Sequence, residues 1–366
     1  MTPQIYLDWN ATTPPLDGVI TAMAEAARLT WGNPASVHGT GRAARDRVET
    51  AREEVARLLG ASARDVVFTS GGTEANNLAL RSAPALVTSR LEHPSITRVA
   101  EALEAEGKPV RWLPVPSSGC LEADAVRDAL AGMPEAAVVA IAPVNHETGV
   151  LQPLGAVIEV ARAAGARVHV DAVQAVGKLP LDALAGADTV SVAAHKIRGP
   201  KGIGALVHRP ERPPRPLLLG GTQERGRRPG TVDPIAAEGF RVAAAWAREN
   251  LPGRDRLADL RARLESGLRA LGGLVNGAEV PRIAHVANVS FPGAAGDELV
   301  AALDLLGVAV ASGSACSAGT IEPSKIISAM LGLERARGAV RLSLGDTTTS
   351  DEIERALGAF ERVLRA

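Results

Sequence analysis

The stretch "VVFTSGGTEANNLAL", residues 66–80, decides how this chain folds. "VVFTS" is apolar and β-branched, a glycine pair follows, and Thr73 and Glu74 open a segment with helical spacing. A strand that feeds a helix through a glycine turn is the repeating unit of a sheet covered by helices. The N–H groups at such a helix start, with the helix dipole behind them, suit a phosphate, and Thr73 adds a hydroxyl. Plain capping by Ser70 or Thr73 accounts for the same letters when they are taken alone. The stretch is neither GxxxxGK[ST] nor GxGxxG, so it supports neither a P-loop nor a dinucleotide fingerprint.

Working outward, further strands are expected at 85–89, 137–144, 167–173, 189–194 and 203–209, with helices at 95–106 and 154–164 between them. This alternation predicts a mainly parallel sheet with helices on both faces. Residues 209–231, rich in proline and glycine, break the rhythm and read as long functional loops. Helices at 234–249 and 254–271 come next. "VANVSFPG", a helix from Asp297, "GVAVAS", a helix near Lys325, "AVRLSLG" and a last helix then read as a smaller α+β unit.

The 366 residues suggest about two domains. With 46% hydrophobic and 22% charged residues the composition is that of a globular protein. Lys and Arg number 40 against 41 Asp and Glu, a net charge of −1, so no global field favours nucleic acid or a membrane surface. No apolar run is long enough to span a bilayer. "MTPQIYLDWN" lacks the regions of a signal peptide, and the cytoplasm is the expected compartment. The two cysteines, Cys120 and Cys316, form neither a metal-ligand cluster nor a disulfide framework. Cys120 reads as structural. Cys316 sits in "ASGSACSAGT" (311–320), where nothing is large enough to pack against it, and a thiol there is conspicuous only if it reacts.

Three constellations carry chemistry. "RVHVDAVQAVGKLPLD" (167–182) puts Asp171 at the end of an apolar strand, where ligands of open α/β sheets collect. A carboxylate there needs a positive partner, such as a protonated pyridine nitrogen, or else it caps the next turn. "SVAAHKIRGPKGIGALV" (191–207) puts His195 and Lys196 directly after a strand. A desolvated lysine beside another cation can form a Schiff base, although one lysine by itself also fits a solvated loop. A phosphate cup, an Asp for a pyridinium and a lysine for an imine, expected on consecutive strands, together point to pyridoxal 5′-phosphate. "EHPSI" adds His93, placed to stack on a flat ring, and "VNHETGVLQP" adds Asn145, His146 and Glu147.

With "GNPAS", "FTSGGTEANN", "HKIRGPKGIGAL", "QERGRRPGT", "SGSACSAG" and "VRLSLG" in order along the chain, the sequence resembles the cysteine desulfurases of the class-V, fold type I pyridoxal-phosphate enzymes. The resemblance implies a large domain, 15–255, with a mainly parallel seven-stranded sheet. It also implies a small α+β domain, 1–14 with 256–366, carrying a mobile cysteine loop. Lys196 would hold the cofactor, Asp171 would pair with its ring nitrogen, His93 would stack on it, and Gln174 would contact its phenolic oxygen. Gly72, Thr73 and His195 would bind the phosphate, with Thr231 reaching it from the neighbouring subunit of a homodimer. Arg341, with Asn145, would bind the substrate carboxylate. Cys316 would be the nucleophile that takes sulfur from L-cysteine as a persulfide, leaving L-alanine. Lys196 and His93 would move protons. A sulfur-acceptor protein would receive the sulfur for iron–sulfur cluster assembly, thio-cofactor synthesis or tRNA modification. No metal is expected beyond transient iron–sulfur ligation by Cys316.

Three positions depart from the family pattern. His146 replaces an asparagine and would put a group titrating near neutrality beside the ring oxygen. Ala193 removes a hydroxyl from the phosphate cup, and Pro229 replaces a serine before "GT". Two other readings compete: a selenocysteine lyase or other β-elimination enzyme, against which Cys316 speaks, and a non-catalytic sulfur relay, against which Lys196, Asp171 and His93 speak.

Overall fold

The computed structural model describes residues 4–250, 256–313 and 322–365. An N-terminal arm holds β1 (Ile5–Tyr6) and runs into α1 (Asp17–Leu29) and α2 (Gly39–Leu58). Then follow β2 (Val66–Thr69), α3 (Gly72–Leu80), β3 (Leu86–Ser89), α4 (Pro94–Ala105), β4 (Val110–Leu113), α5 (Ala123–Leu130), β5 (Val138–Ile141) and α6 (Leu154–Ala163). β6 (Arg167–Asp171), β7 (Thr189–Ala193) and β8 (Gly204–His208) complete a seven-stranded sheet of order β2-β8-β7-β6-β5-β3-β4. The pairs from β7 through β4 are parallel, while β8 runs antiparallel to both β7 and β2.

β3 and β5 are buried along their length and β6 and β7 beyond their first residue, as helices on both faces require, and their Val-, Ile- and Ala-rich sequences follow from that. β8 departs from the parallel rule for a reason of length. Only ten residues separate Ala193 from Gly204, and they hold a single helical turn, Ala194–Lys196. A parallel return needs a crossover of a dozen or more residues. The expected run of consecutive strands is therefore corrected: β8 lies between the strand that leads to Gly72 and the strand that leads to Lys196. The edge strand β4, "VRWL", is half exposed and was not read from the sequence.

α7 (Pro234–Glu249) returns across α1 and α2, and its Phe240, Ala243, Ala244 and Ala247 join the large core with Val48, Ala51 and Phe68. A second core lies beyond it. α8 (Arg256–Ala270), β9 (Leu274–Val275), β10 (Val286–Ser290), α9 (Gly296–Leu305), β11 (Val308–Ala309), α10 (Lys325–Leu331), α11 (Leu333–Arg337), β12 (Ala339–Ser343) and α12 (Ser350–Leu364) form the C-terminal part. β12, β10 and β9 make an antiparallel sheet, and β11 pairs in parallel with β1. Leu264, Phe291, Val340, Leu342 and Phe360 pack there together with Ile5 and Leu7 of the arm. The chain thus begins in the second core and crosses the site on its way to the first.

Candidate active site

The carboxyl ends of the parallel strands open onto a cavity of about 200 Å³. Parallel strands present their C-terminal loops on one side, and here those loops carry the chemistry. Gly72 and Thr73 come from the start of α3, His93 follows β3, and His146 follows β5. Asp171 ends β6, Gln174 follows it, and His195 and Lys196 follow β7. Arg341 enters from β12, so both cores line one space.

The Lys196 amine donates to the carbonyl of Asn10 and, at 2.8 Å, to that of Ala11. Lys201, the other lysine of that turn, is exposed and lies outside the cavity. Asp171 is buried and accepts from the Val173 amide at 3.1 Å and from Asn76 Nδ2 at 2.7 Å. His93 caps α4: its Nδ1 accepts the Ser95 amide at 3.1 Å and lies 2.8 Å from the Ser95 hydroxyl. Burial lowers the His93 imidazole, Asp171 pulls it up, and Lys196 lowers it again, leaving it below the ordinary range. Gln174 donates to the Asn10 carbonyl at 3.0 Å and accepts from Lys178 at 2.6 Å. His195 Nδ1 sits 3.1 Å from the Thr12 hydroxyl, and burial, with the nearby lysines, pushes its pKa down to about 4.

His146 packs edge-on against His93, with ring centres 5.3 Å apart. Burial first, then His93, Arg341 and Lys196, hold it well below the ordinary imidazole range. The expected neutral-pH titration is therefore corrected: desolvation first, with His93, Arg341 and Lys196 beside it, keeps this ring neutral. Its Nε2 has no hydrogen-bond partner among the described residues, and neither has Nε of Arg341. The rest of the Arg341 guanidinium donates to Asp8 at 2.6 Å and to the His146 carbonyl at 3.3 Å.

Two expected residues, Asn145 and Thr231, lie elsewhere. Asn145 does not line the cavity. Its Oδ1 accepts from the Glu147 and Thr148 amides and the Thr148 hydroxyl, at 2.9–3.0 Å, and its Nδ2 donates to the Leu91 carbonyl, so its side chain shapes the turn that delivers His146. Thr231 is exposed on the loop before α7, away from this cavity. Cys316 lies outside the described residues, which end at Gly313 and resume at Glu322. Cys120, read as structural, is half-buried with Sγ 3.6 Å from the Leu151 carbonyl, and burial raises its thiol.

Sequence reasoning missed Asn10, Asn76, Ser95 and His169. Asn10 is a hub: its carbonyl receives Gln174 and Lys196, its Nδ2 donates to the His146 carbonyl at 3.0 Å, and its Oδ1 meets His285 at 2.9 Å.

The residues present fit a pyridoxal phosphate. A Cβ at position 72 would stand 2.7 Å from Val173 Cγ2, so glycine there keeps the start of α3 open to a ligand. The cavity joins that helix start to a buried carboxylate and a lysine amine. It also leaves two buried polar nitrogens, on His146 and Arg341, to be satisfied by what binds.

Comparison with known proteins agrees. Residues 5–356 match the family described as aminotransferase class-V. The chain is 41% identical to an IscS-like cysteine desulfurase of Mycobacterium tuberculosis, over 99% of this chain and 97% of that one. It is 42% identical to a cysteine desulfurase of Cereibacter sphaeroides, over 97% and 94%. Among solved structures, a NifS-like protein from Rickettsia africae superimposes with a TM-score of 0.90 at 28% identity, covering 99% of this chain and 100% of that one. A structure described as SspA in complex with cysteine gives 0.80 at 30% identity, over 93% and 98%.

Proposed function

The chain belongs to the class-V aminotransferase family as a pyridoxal-phosphate-dependent L-cysteine desulfurase, and on that premise we propose which of its residues carry the reaction. The overall change is L-cysteine plus the Cys316 thiol giving L-alanine plus a Cys316 persulfide, in which every atom is accounted for. Pyridoxal phosphate, when bound, supplies an electron sink for the α-carbon of the amino acid.

Lys196 holds the cofactor and, through Nζ, takes and returns the proton at the substrate α-carbon. Asp171 would offer its carboxylate to the ring nitrogen, and His93 would stack on the ring. Gln174 and the neutral His146, which line the cavity, would face the ring oxygen. Gly72 and Thr73 at the start of α3, with His195 after β7, would hold the phosphate. Arg341 fixes the substrate carboxylate with its planar fork, which a lysine would not reproduce. Cys316 receives the sulfur as a thiolate. Its neighbours Gly313, Ser314, Ala315, Ser317 and Gly319 are small and set few steric limits on where the thiol can go.

The observation that carries this assignment is Arg341. It reaches from the second core into the cavity that holds Lys196 and Asp171, and its buried Nε is left for a ligand. The test is Cys316→Ala, assayed with L-cysteine and dithiothreitol. The variant should change the cofactor's absorbance when cysteine is added and yet make essentially no alanine. Alanine at the parental rate overturns the role of Cys316.

We further propose a homodimer in which Thr231 completes the phosphate site of the partner subunit. Exposed Leu218, Leu219, Trp31 and Val37 support an apolar contact with a second copy. The sulfur would pass to an acceptor protein serving iron–sulfur cluster assembly or thio-modification, in the cytoplasm. No helix among the described residues is long and apolar enough to cross a membrane.

A further inference from the structure

Asn76, on α3, is 1% exposed, and each of its side-chain hydrogen-bonding groups is engaged. Its surroundings leave one way to place the protons. Asn76 donates from its amide nitrogen to Asp171 Oδ2 at 2.7 Å. The amide oxygen therefore faces His169 Nε2 at 3.0 Å, and that nitrogen must carry a proton. Burial keeps His169 neutral, with a pKa of about 3, so its Nδ1 accepts from the Thr189 hydroxyl at 2.9 Å.

The second N–H of Asn76 goes to the Ser95 hydroxyl oxygen at 2.8 Å. That hydroxyl then points its own proton at His93 Nδ1, 2.8 Å away. The same Nδ1 already accepts the Ser95 backbone N–H, which can only donate. With two donors aimed at it, Nδ1 holds no proton.

We propose that His93 enters the reaction neutral, with its proton on Nε2, and that the Asn76–Ser95 pair keeps it there. Asn76 is in this sense a positioning residue, and the proposal rests on the assignment of His93 to the cofactor site. In this form the ring can give a proton to a substrate atom through Nε2. It cannot take one at Nε2 until it has given up its own. The charged and titratable groups facing it are Asp171 at the end of β6, Lys196 after β7 and His146 after β5.

The holoenzyme labelled with ¹⁵N-histidine, without substrate, tests this independently of turnover. His93→Gln identifies the signals. Between pH 6 and 9 the parent should show a protonated Nε2 and an unprotonated Nδ1. In Ser95→Ala the midpoint for a second proton should rise by about one pH unit, a tenfold gain in proton affinity, because a neutral hydrogen bond is worth about that much. Ser95→Thr should restore the parental value, and Asn76→Ser should move the midpoint in the same direction as Ser95→Ala. If Asn76→Ser does not fold, Ser95→Ala decides, since it cuts the same link one bond nearer to His93. A proton on Nδ1, or an imidazolium at pH 7.5 in the parent, overturns the proposal. An unmoved midpoint in Ser95→Ala overturns the role of the pair. Failure of the desulfurase assignment would appear as absent alanine with these spectra unchanged.

Discussion

Glu224→Gln removes a charge while keeping the shape of the side chain. Glu224 is clasped by Arg52 of α2 through two hydrogen bonds of 2.7 Å, and the side chains are 2% and 3% exposed. The same carboxylate accepts the Phe68 amide at 2.7 Å, and the Arg52 guanidinium also donates to the Val66 carbonyl at 3.0 Å. The amide keeps one acceptor but leaves a buried guanidinium without its main counter-charge. Breaking such a pair costs roughly 3–5 kcal/mol. Glu49, 3.1 Å from Arg52 but 44% exposed, softens the loss, which places the expectation near the lower end, about 3 kcal/mol. Glu224 and Arg225 also hold φ of 50° and 57°, a left-handed pair tolerable only while the surroundings enforce it. The assay is urea unfolding at fixed protein and cofactor concentration. Adding Arg52→Met should recover at least half of the loss, because a buried pair replaced as a whole costs far less than a broken one. A loss below about 1 kcal/mol for Glu224→Gln, or no recovery in the double variant, would refute the reasoning.

Arg341→Lys should raise KM for cysteine by about tenfold or more while the cofactor still binds, since the charge stays and the fork is lost; an unchanged KM counts against the carboxylate role. His146→Asn should leave the pH dependence of the cofactor's absorbance unchanged between pH 6 and 9, because the buried ring is already neutral there; curves with separate midpoints would restore the titrating role. Stability should fall as pH drops from about 6.5 toward 5. His93, His146, His169, His195 and His208 are all lowered, chiefly by burial, so the unfolded chain takes up their protons first. Their contribution is complete above the unfolded histidine value and is lost as pH falls through the window below it. Glu92 and Glu147, raised by burial, act in the opposite sense, so five groups stand against two. The slope should not exceed about 7 kcal/mol per pH unit, the ceiling for five protons that the two glutamates lower, and urea midpoints that stay flat or rise on acidification would contradict the assignment.

Much of the site was legible because single residues at strand ends announce themselves. Lys196 and Asp171 interrupt apolar runs where only a partner justifies a charge, and both line the cavity. The supporting layer was not legible. Asn76 looks like any polar residue of a helix, and His169 alternates within β6 like a core position. Their meaning depends on which residues from distant strands lie beside them. The fold behaves alike. α7 matches its expected limits at 234–249, where alanine spacing and the Asp233 cap mark both face and start. β4 went unseen because an edge strand of four residues with an arginine and a half-exposed tryptophan carries no apolar run. Asn145 misled for the opposite reason: a motif can be shared for the sake of a turn as well as for contact with a ligand.

The pairing of β1 with β11 has a consequence in time. Ile5 meets Val308, so the arm leaves the ribosome about 300 residues before its partner, which at roughly 5–20 residues per second is a wait of about 15–60 s. During that wait the large core can close, since its strands and α7 are already made. The arm meanwhile carries Asn10 and Ala11, whose carbonyls receive the Lys196 amine. The lysine's setting is therefore finished late, by docking of the oldest segment onto one made about 300 residues after it. Nascent chains released before β11 should have a formed sheet but an immature site, a stage that cofactor capture during synthesis would date.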